Sequence, residues 1–268
     1  MRPKNRVRCL SNLFIDFQKT CSLTVKSLSS RVLTATNKIL AKVGVKIARV
    51  RSVYGYLEAK DVIENAKKAN VSVCEYLERQ SPHETTAREV IVQLQKRGVF
   101  EKTPKSVLEI GAGSGRYLSN LIEAIGNTDY QIYEPASDWS NWLAQTYSVK
   151  NQPCDGSSLA ATNSESIDFV HANGVFVYIN FLTTYQYFQE MIRVARPGSW
   201  IVFDVISENC LSDEQVTKWI ESSFDFPAFL SRVHIENYFV ARGCKLEGSF
   251  LSKLAAGSSE YLIFKKAL

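Results

Sequence analysis

One segment, SVLEIGAGSG at residues 106–115, limits what this chain can fold into more than any other. A short apolar run leads straight into glycines at every second position, Gly111, Gly113 and Gly115. The helical pattern RYLSNLIEAIG begins immediately behind them. An apolar run bounded by turn residues reads as a buried strand, and a strand joined to a helix by so tight a turn reads as the start of a βαβ unit. Glycines at that turn let backbone N–H groups approach a ligand where a Cβ would stand in the way. They serve a bare turn equally well, so the pattern alone names no ligand.

The alternation continues downstream. YQIYEP (130–135) reads as a second strand, followed by a helix through Trp139, Trp142 and Leu143. A short third strand ends near QPCDG, and SIDFVHANG (166–174) is the fourth. YQYFQEMIRVARPG reads as a helix with a Pro-Gly exit, and SWIVFDVI (199–206) as the fifth strand. The tail supplies one more helix, then KLEGSFL and SEYLIFKK as a hairpin. This is the grammar of an α/β, Rossmann-like doubly wound sheet. Upstream, Ser72 three residues before Glu75 marks a capping box, and ETTAREVIVQLQKRG is a helix closed by Gly98.

From Leu10 to Val43 apolar residues recur at helical spacing with Lys and Arg between them, which gives basic amphipathic helices. Residues 1–51 hold twelve Lys or Arg and one acid, Asp16, for a charge of +11, while the rest of the chain carries −6. Three divisions follow: a basic amphipathic helical leader at 1–51, a helical cap region at 52–104, and an α/β domain at 105–268. At 45% hydrophobic and 22% charged residues, the chain has the means to bury a core, which excludes disorder throughout. No run approaches 18 apolar residues, and no secretory signal is visible. Six cysteines without a C-x-x-C pair, and three histidines, give no zinc spacing. They suit free thiols in a reducing, cytoplasmic setting.

An acid at the end of the second strand, Glu134, stands 19 residues after Gly115. In a doubly wound sheet such a carboxylate reaches the crevice at the switch point and can accept ribose hydroxyls. A dinucleotide fingerprint would need a glycine where Arg116 stands, and a P-loop would need G-K-[ST], which is missing. Glu109 followed by Gly111, Gly113 and Gly115 resembles the first motif of the class I S-adenosylmethionine-dependent methyltransferases. Asp155-Gly156 falls where that family places the carboxylate that meets the adenine amino group. SIDFVHANGVFVYI and RVARPGSWIVFDV are similar to its later motifs, so the likeness runs from about residue 105 to the end. A weaker likeness, NKILAKVGVKIARV followed by SVCEYLE, resembles the leader of bacterial methyltransferases presumed to act on sugars of surface glycans.

The resemblance implies a seven-stranded, mostly parallel sheet with the last strand antiparallel, and S-adenosylmethionine as cofactor without metal. It implies a cofactor set of Glu109, Gly111, Ala112, Gly113, Gly115, Glu134, Asp155, Gly156, Asn173 and Gly174. A hydroxyl acceptor calls for a general base, and His171 or Tyr178 is expected there, with Asn173 orienting. Each has a plainer reading: His171 as a hydrogen-bonded core histidine, Tyr178 as one of an aromatic run. Trp139 and Trp142 read most simply as core, with the adenine face as the alternative for one of them, Asp168 as structural, and His83 and His234 as surface or packing residues.

There is no N-P-P-[YFW] and no Pro-Cys after the fourth strand, which argues against adenine amino and cytosine-5 methylation. The expectation is O-methylation of a small-molecule or saccharide/glycan acceptor. The alternatives are an RNA or lipid-linked acceptor, and a non-catalytic S-adenosylmethionine-binding regulator or scaffold. For the leader three readings stand beside a transit peptide: a solvated cap, a peripheral contact with anionic membrane, and nucleic-acid contact, the last disfavoured by sparse aromatic interleaving.

Overall fold

The computed structural model describes residues 57–126, 128–222, 228–255 and 257–268. The expectations for the leader at 1–51 therefore lie outside the described residues. Among the described residues three helices come first: α1 (Ala59–Lys68), α2 (Val73–Gln80) and α3 (Ala87–Gln95). The Ser72 hydroxyl caps α2 by accepting from the Glu75 N–H at 3.1 Å. The complete capping box is at α3 instead, where Thr86 and Glu89 each accept the other's backbone N–H. The capping box expected at Ser72 is only half formed, and the complete one lies one helix later.

These helices are fixed to the α/β body. Val90, Ile91 and Leu94 of α3 share a core with Leu118 and Leu121 of α4 (Arg116–Ile125). Ala59 and Val62 of α1 pack on Trp139 of α5 (Ser137–Tyr147), and the Trp139 indole donates to the Leu57 carbonyl at 2.8 Å. Trp139 is thus a core residue at 4% exposure, as its plainer reading had it.

Seven strands form one sheet: β1 (Ser106–Ile110), β2 (Asp129–Tyr133), β3 (Lys150–Asn151), β4 (Ile167–Ala172), β5 (Ala195–Val205), β6 (Cys244–Leu254) and β7 (Gly257–Lys266). Their order is β3-β2-β1-β4-β5-β7-β6, with β7 antiparallel to both its neighbours and the remaining pairs parallel. This is the seven-stranded arrangement with an antiparallel last strand. Helix α6 (Phe181–Val194) runs directly into β5, so Ala195, Arg196, Pro197 and Gly198 belong to the strand and not to a helix exit. Pro197 disfavours helical backbone at the residue before it, which releases the chain early. Among the described residues the tail holds two α-helices, α7 (Asp213–Ser222) and α8 (Arg232–Val240), where one is expected from the sequence. Among the described residues no helix is long and apolar enough to cross a membrane.

Both faces of the sheet are buried. Leu108, Ile110, Phe188, Phe203 and Phe264 pack on one side, while Val107, Leu118, Val202 and Ile263 pack on the other. Strand order reverses at β1, between β2 and β4, so the crevice of the switch point opens beyond the carboxyl ends of those three strands.

Candidate active site

The turn after β1 is shaped by three demands. A Cβ on Gly111 would lie 2.6 Å from Val175 Cγ2, and one on Gly115 would lie 2.4 Å from Leu143 Cδ2. Packing requires glycine at both. Gly113 differs: with φ at +52° its Cβ would meet nothing within 4 Å. The backbone here curls in the left-handed region beside open space, which leaves a cradle.

Glu134 follows β2 and is 8% exposed. Its Oε2 accepts the Gly113 N–H at 2.7 Å and its Oε1 accepts the Ala136 N–H at 2.8 Å. Burial raises its pKa, and those two N–H bonds lower it. Each carboxylate oxygen keeps a second lone pair for a ligand hydroxyl. Asp155, beyond β3, is exposed and turns back on its own loop. It accepts the N–H groups of Ser157 and Ser158 at 2.8 and 2.7 Å and the Ser158 hydroxyl at 2.6 Å. The Ser158 hydroxyl and the two N–H groups hold its carboxyl down to about 2. Its carboxylate thus serves the Asp155–Gly156 loop in this conformation.

Beyond β4, Gly174 has φ at +66° and again nothing within 4 Å of a Cβ. Its N–H donates to Asp204 Oδ1 at 2.7 Å. Asp204, 2% exposed near the end of β5, was not singled out in the sequence. A lone acid within SWIVFDVI was the available signal, since such acids are seldom fully buried unless partnered. Burial pushes its carboxyl up to about 6. Close by, the Tyr261 hydroxyl donates to that of Tyr117 at 2.9 Å.

His171 is placed otherwise than a proton acceptor requires. It is 3% exposed, with Nδ1 2.8 Å from Asn173 Nδ2 and Nε2 2.9 Å from the Tyr130 hydroxyl. Tyr130 donates to Glu109 Oε2 at 2.7 Å, and Glu109 is 1% exposed. Glu109 therefore lies in a buried cluster with Tyr130 and His171. Burial pushes His171 down to about 3 and Glu109 up to about 8. Tyr178 is half-buried beyond β4, packed with Val177, Ile206 and Cys210. Asp168 accepts from the N–H groups of Lys105 and Ser106 and pairs with Arg196, a structural duty. Among the described residues, no group of three or more His, Cys, Asp or Glu could hold a metal ion. A cleft of about 1010 Å³ lies at the other end of the strands, lined by Pro104, Asp168, Gly198 and Lys266, and no residue of the crevice reaches it.

The buried pair has a pH signature. Glu109 keeps its proton in the fold up to about pH 8 against 4.5 when exposed, so the stability it lends is lost as pH rises through that range. His171, lowered from 6.5 to about 3, lends stability that is lost as pH falls through that range. The two trends oppose each other between 4.5 and 6.5, and above 6.5 only that of Glu109 remains. The melting temperature is expected to fall between these values of 6.5 and about 8, and Glu109→Gln should flatten that fall. Calorimetric scans that superimpose for both proteins would contradict the assignment.

The sequence profile of a family described as a methyltransferase domain matches residues 78–248. Known folds agree. A putative sarcosine dimethylglycine methyltransferase from Galdieria sulphuraria is 12% identical with a TM-score of 0.52, over 79% of this chain and 92% of that one. Magnesium protoporphyrin IX methyltransferase from Synechocystis PCC 6803, with bound S-adenosylhomocysteine, is 13% identical with a TM-score of 0.51, over 87% and 99%. The cyclase SpnF is 10% identical with a TM-score of 0.51, over 68% of this chain and 81% of that one, so likeness at this level speaks for the fold. None of the curated proteins matches this sequence. The sheet order, with its antiparallel last strand, is that of the class I methyltransferase fold. The chain belongs to the methyltransferase domain family and is an S-adenosylmethionine-dependent methyltransferase.

Proposed function

We propose that this enzyme O-methylates a small-molecule or saccharide acceptor, with S-adenosylmethionine held across the turn after β1. The observation that carries the reading is the open cradle at Gly113 and Gly174, both at positive φ, with the Glu134 carboxylate reaching Gly113. These residues fit the cofactor. Gly111, Ala112, Gly113 and Gly115 present backbone to its methionine portion, Glu134 takes the ribose, and Asn173 and Gly174 close the far side. When bound, S-adenosylmethionine supplies a methyl group already activated on a sulfonium. The protein's task is then alignment of donor and acceptor, which is worth up to about 7–11 kcal/mol.

The acceptor side lies beyond β4 and β5. There Tyr178 stands close in sequence to Phe181 and Leu182, which are 56% and 64% exposed. An aromatic and aliphatic rim suits a ring or the apolar face of a sugar better than a phosphate backbone. Tyr178 is the acceptor-side residue that remains for proton removal once His171 is enclosed. Glu134→Ala is expected to weaken S-adenosylhomocysteine binding by about 1.5–3 kcal/mol, a tenfold to hundredfold loss, as when a charged group loses its hydrogen bonds. Titration calorimetry reads it, and an unchanged affinity would remove Glu134 from the ribose. The acceptor class is tested by transfer of labelled methyl from S-adenosylmethionine into pools of small phenols, saccharides, RNA and lipid-linked glycans. Label in RNA alone would overturn this reading.

A further inference from the structure

A chain of four polar side chains crosses the centre of the sheet: Asn173 Nδ2 to His171 Nδ1 at 2.8 Å, His171 Nε2 to the Tyr130 hydroxyl at 2.9 Å, and that hydroxyl to Glu109 Oε2 at 2.7 Å. Strand register brings them together, because Glu109 lies opposite His171 across the β1–β4 pair. Glu109, Tyr130 and His171 are 1%, 4% and 3% exposed, so water does not compete for the bonds among these three, while Asn173 at the end of the chain is half-buried. In an enclosed chain of this kind each hydrogen serves one pair, and its direction at one end dictates every other.

With Glu109 ionised, Tyr130 donates to the carboxylate. His171 then donates from Nε2 to the phenol oxygen, and the Asn173 amide N–H donates to Nδ1. With Glu109 protonated, its O–H donates to the phenol oxygen and Tyr130 donates to Nε2. The His171 hydrogen then sits on Nδ1, and the Asn173 amide must turn over to accept it through Oδ1. The proton balance closes with one proton gained at Glu109 and none lost elsewhere.

We propose that Tyr130 and His171 are positioning residues, through which the ionisation of Glu109 decides which end of the Asn173 amide faces the crevice. The carbonyl is presented when Glu109 is charged and the NH₂ donor when it is neutral. Asn173 precedes Gly174, whose Cβ position is open, so the exchange is made at the wall of the cradle. The titratable groups facing Glu109 are Tyr130 and Glu134 from the β2 side, His171 from β4 and Tyr117 from α4. The α3 residues in the same core, Val90, Ile91 and Leu94, are apolar. Burial, opposed by the Tyr130 hydrogen bond and reinforced by the Glu134 charge, sets the carboxyl at about 8. Both arrangements are therefore populated around neutral to mildly alkaline pH.

This inference rests on Asn173 belonging to the cofactor crevice, and the test separates the two. The chain has three histidines, so the double variant His83→Gln, His234→Gln leaves His171 as its one imidazole. Its ring ¹⁵N shifts, read by NMR without ligand, should report Nδ1–H at about pH 6 and Nε2–H at about pH 9.5. Tyr130→Phe, or Glu109→Gln should the former fail to fold, should abolish the inversion. In parallel, S-adenosylhomocysteine affinity should change several-fold across the same pH range, and it should stay flat in the variant. One tautomer at both pH values in the folded protein overturns the relay, whatever binds. Inversion with no S-adenosylhomocysteine binding overturns the proposed function and leaves the relay standing.

Discussion

Valine at position 113 is expected to abolish S-adenosylhomocysteine binding while the protein still folds. Two effects combine there. The Gly113 backbone has φ at +52°, a region that costs an L-residue about 1–2 kcal/mol and suits a β-branched one worst. The side chain would also project into space empty to 4 Å, the space assigned to the methionine portion of the cofactor. Because no protein atom is displaced, most of the damage falls on binding. Titration calorimetry should show affinity lowered more than a hundredfold, with a modest drop in melting temperature. Gly111→Val is a contrasting control. Its Cβ would strike Val175 Cγ2 at 2.6 Å, so this variant should lose stability first. Near-normal binding by a folded Gly113→Val protein would place the cofactor elsewhere.

The second large effect belongs to Tyr178. If it removes the acceptor proton, Tyr178→Phe should lower kcat by about 10²–10⁴-fold and leave cofactor affinity unchanged. His171→Gln should behave differently. Enclosed between Asn173 and Tyr130, His171 has no nitrogen to offer an acceptor, so its loss should alter stability and cofactor affinity along with kcat. Single-turnover kinetics with calorimetry separates the two patterns. A Tyr178→Phe enzyme with undiminished kcat would leave the reaction to alignment alone.

The parts of this fold that were legible in the sequence share one property: their signal is local. Apolar strand runs, the glycine turn and the acid after β2 can be read in windows of about ten residues, and so the sheet, the turn and the acid beside it were visible. Helix α1 was not, because its buried residues, Ala59, Val62 and Ala66, are small and sit among lysines and acids. The start of β5 was misplaced because Ala195 and Arg196 carry no strand signal, and what ends α6 is Pro197, three residues past Val194. The relay was invisible for a deeper reason. Glu109, Tyr130 and His171 lie on three strands, and only register tells whether they meet. A histidine between Val170 and Ala172 looks the same in sequence whether it faces a substrate or a buried tyrosine. Asp204 was overlooked likewise: its partner, the Gly174 amide, is 30 residues away in the chain.

Cofactor identity is tested most directly by calorimetric titration of the protein with S-adenosylhomocysteine, run beside NAD under the same conditions. One site of micromolar affinity for S-adenosylhomocysteine is expected, lost in Gly113→Val and weakened in Glu134→Ala, with no heat from NAD. Tight NAD binding with no response to S-adenosylhomocysteine would contradict it.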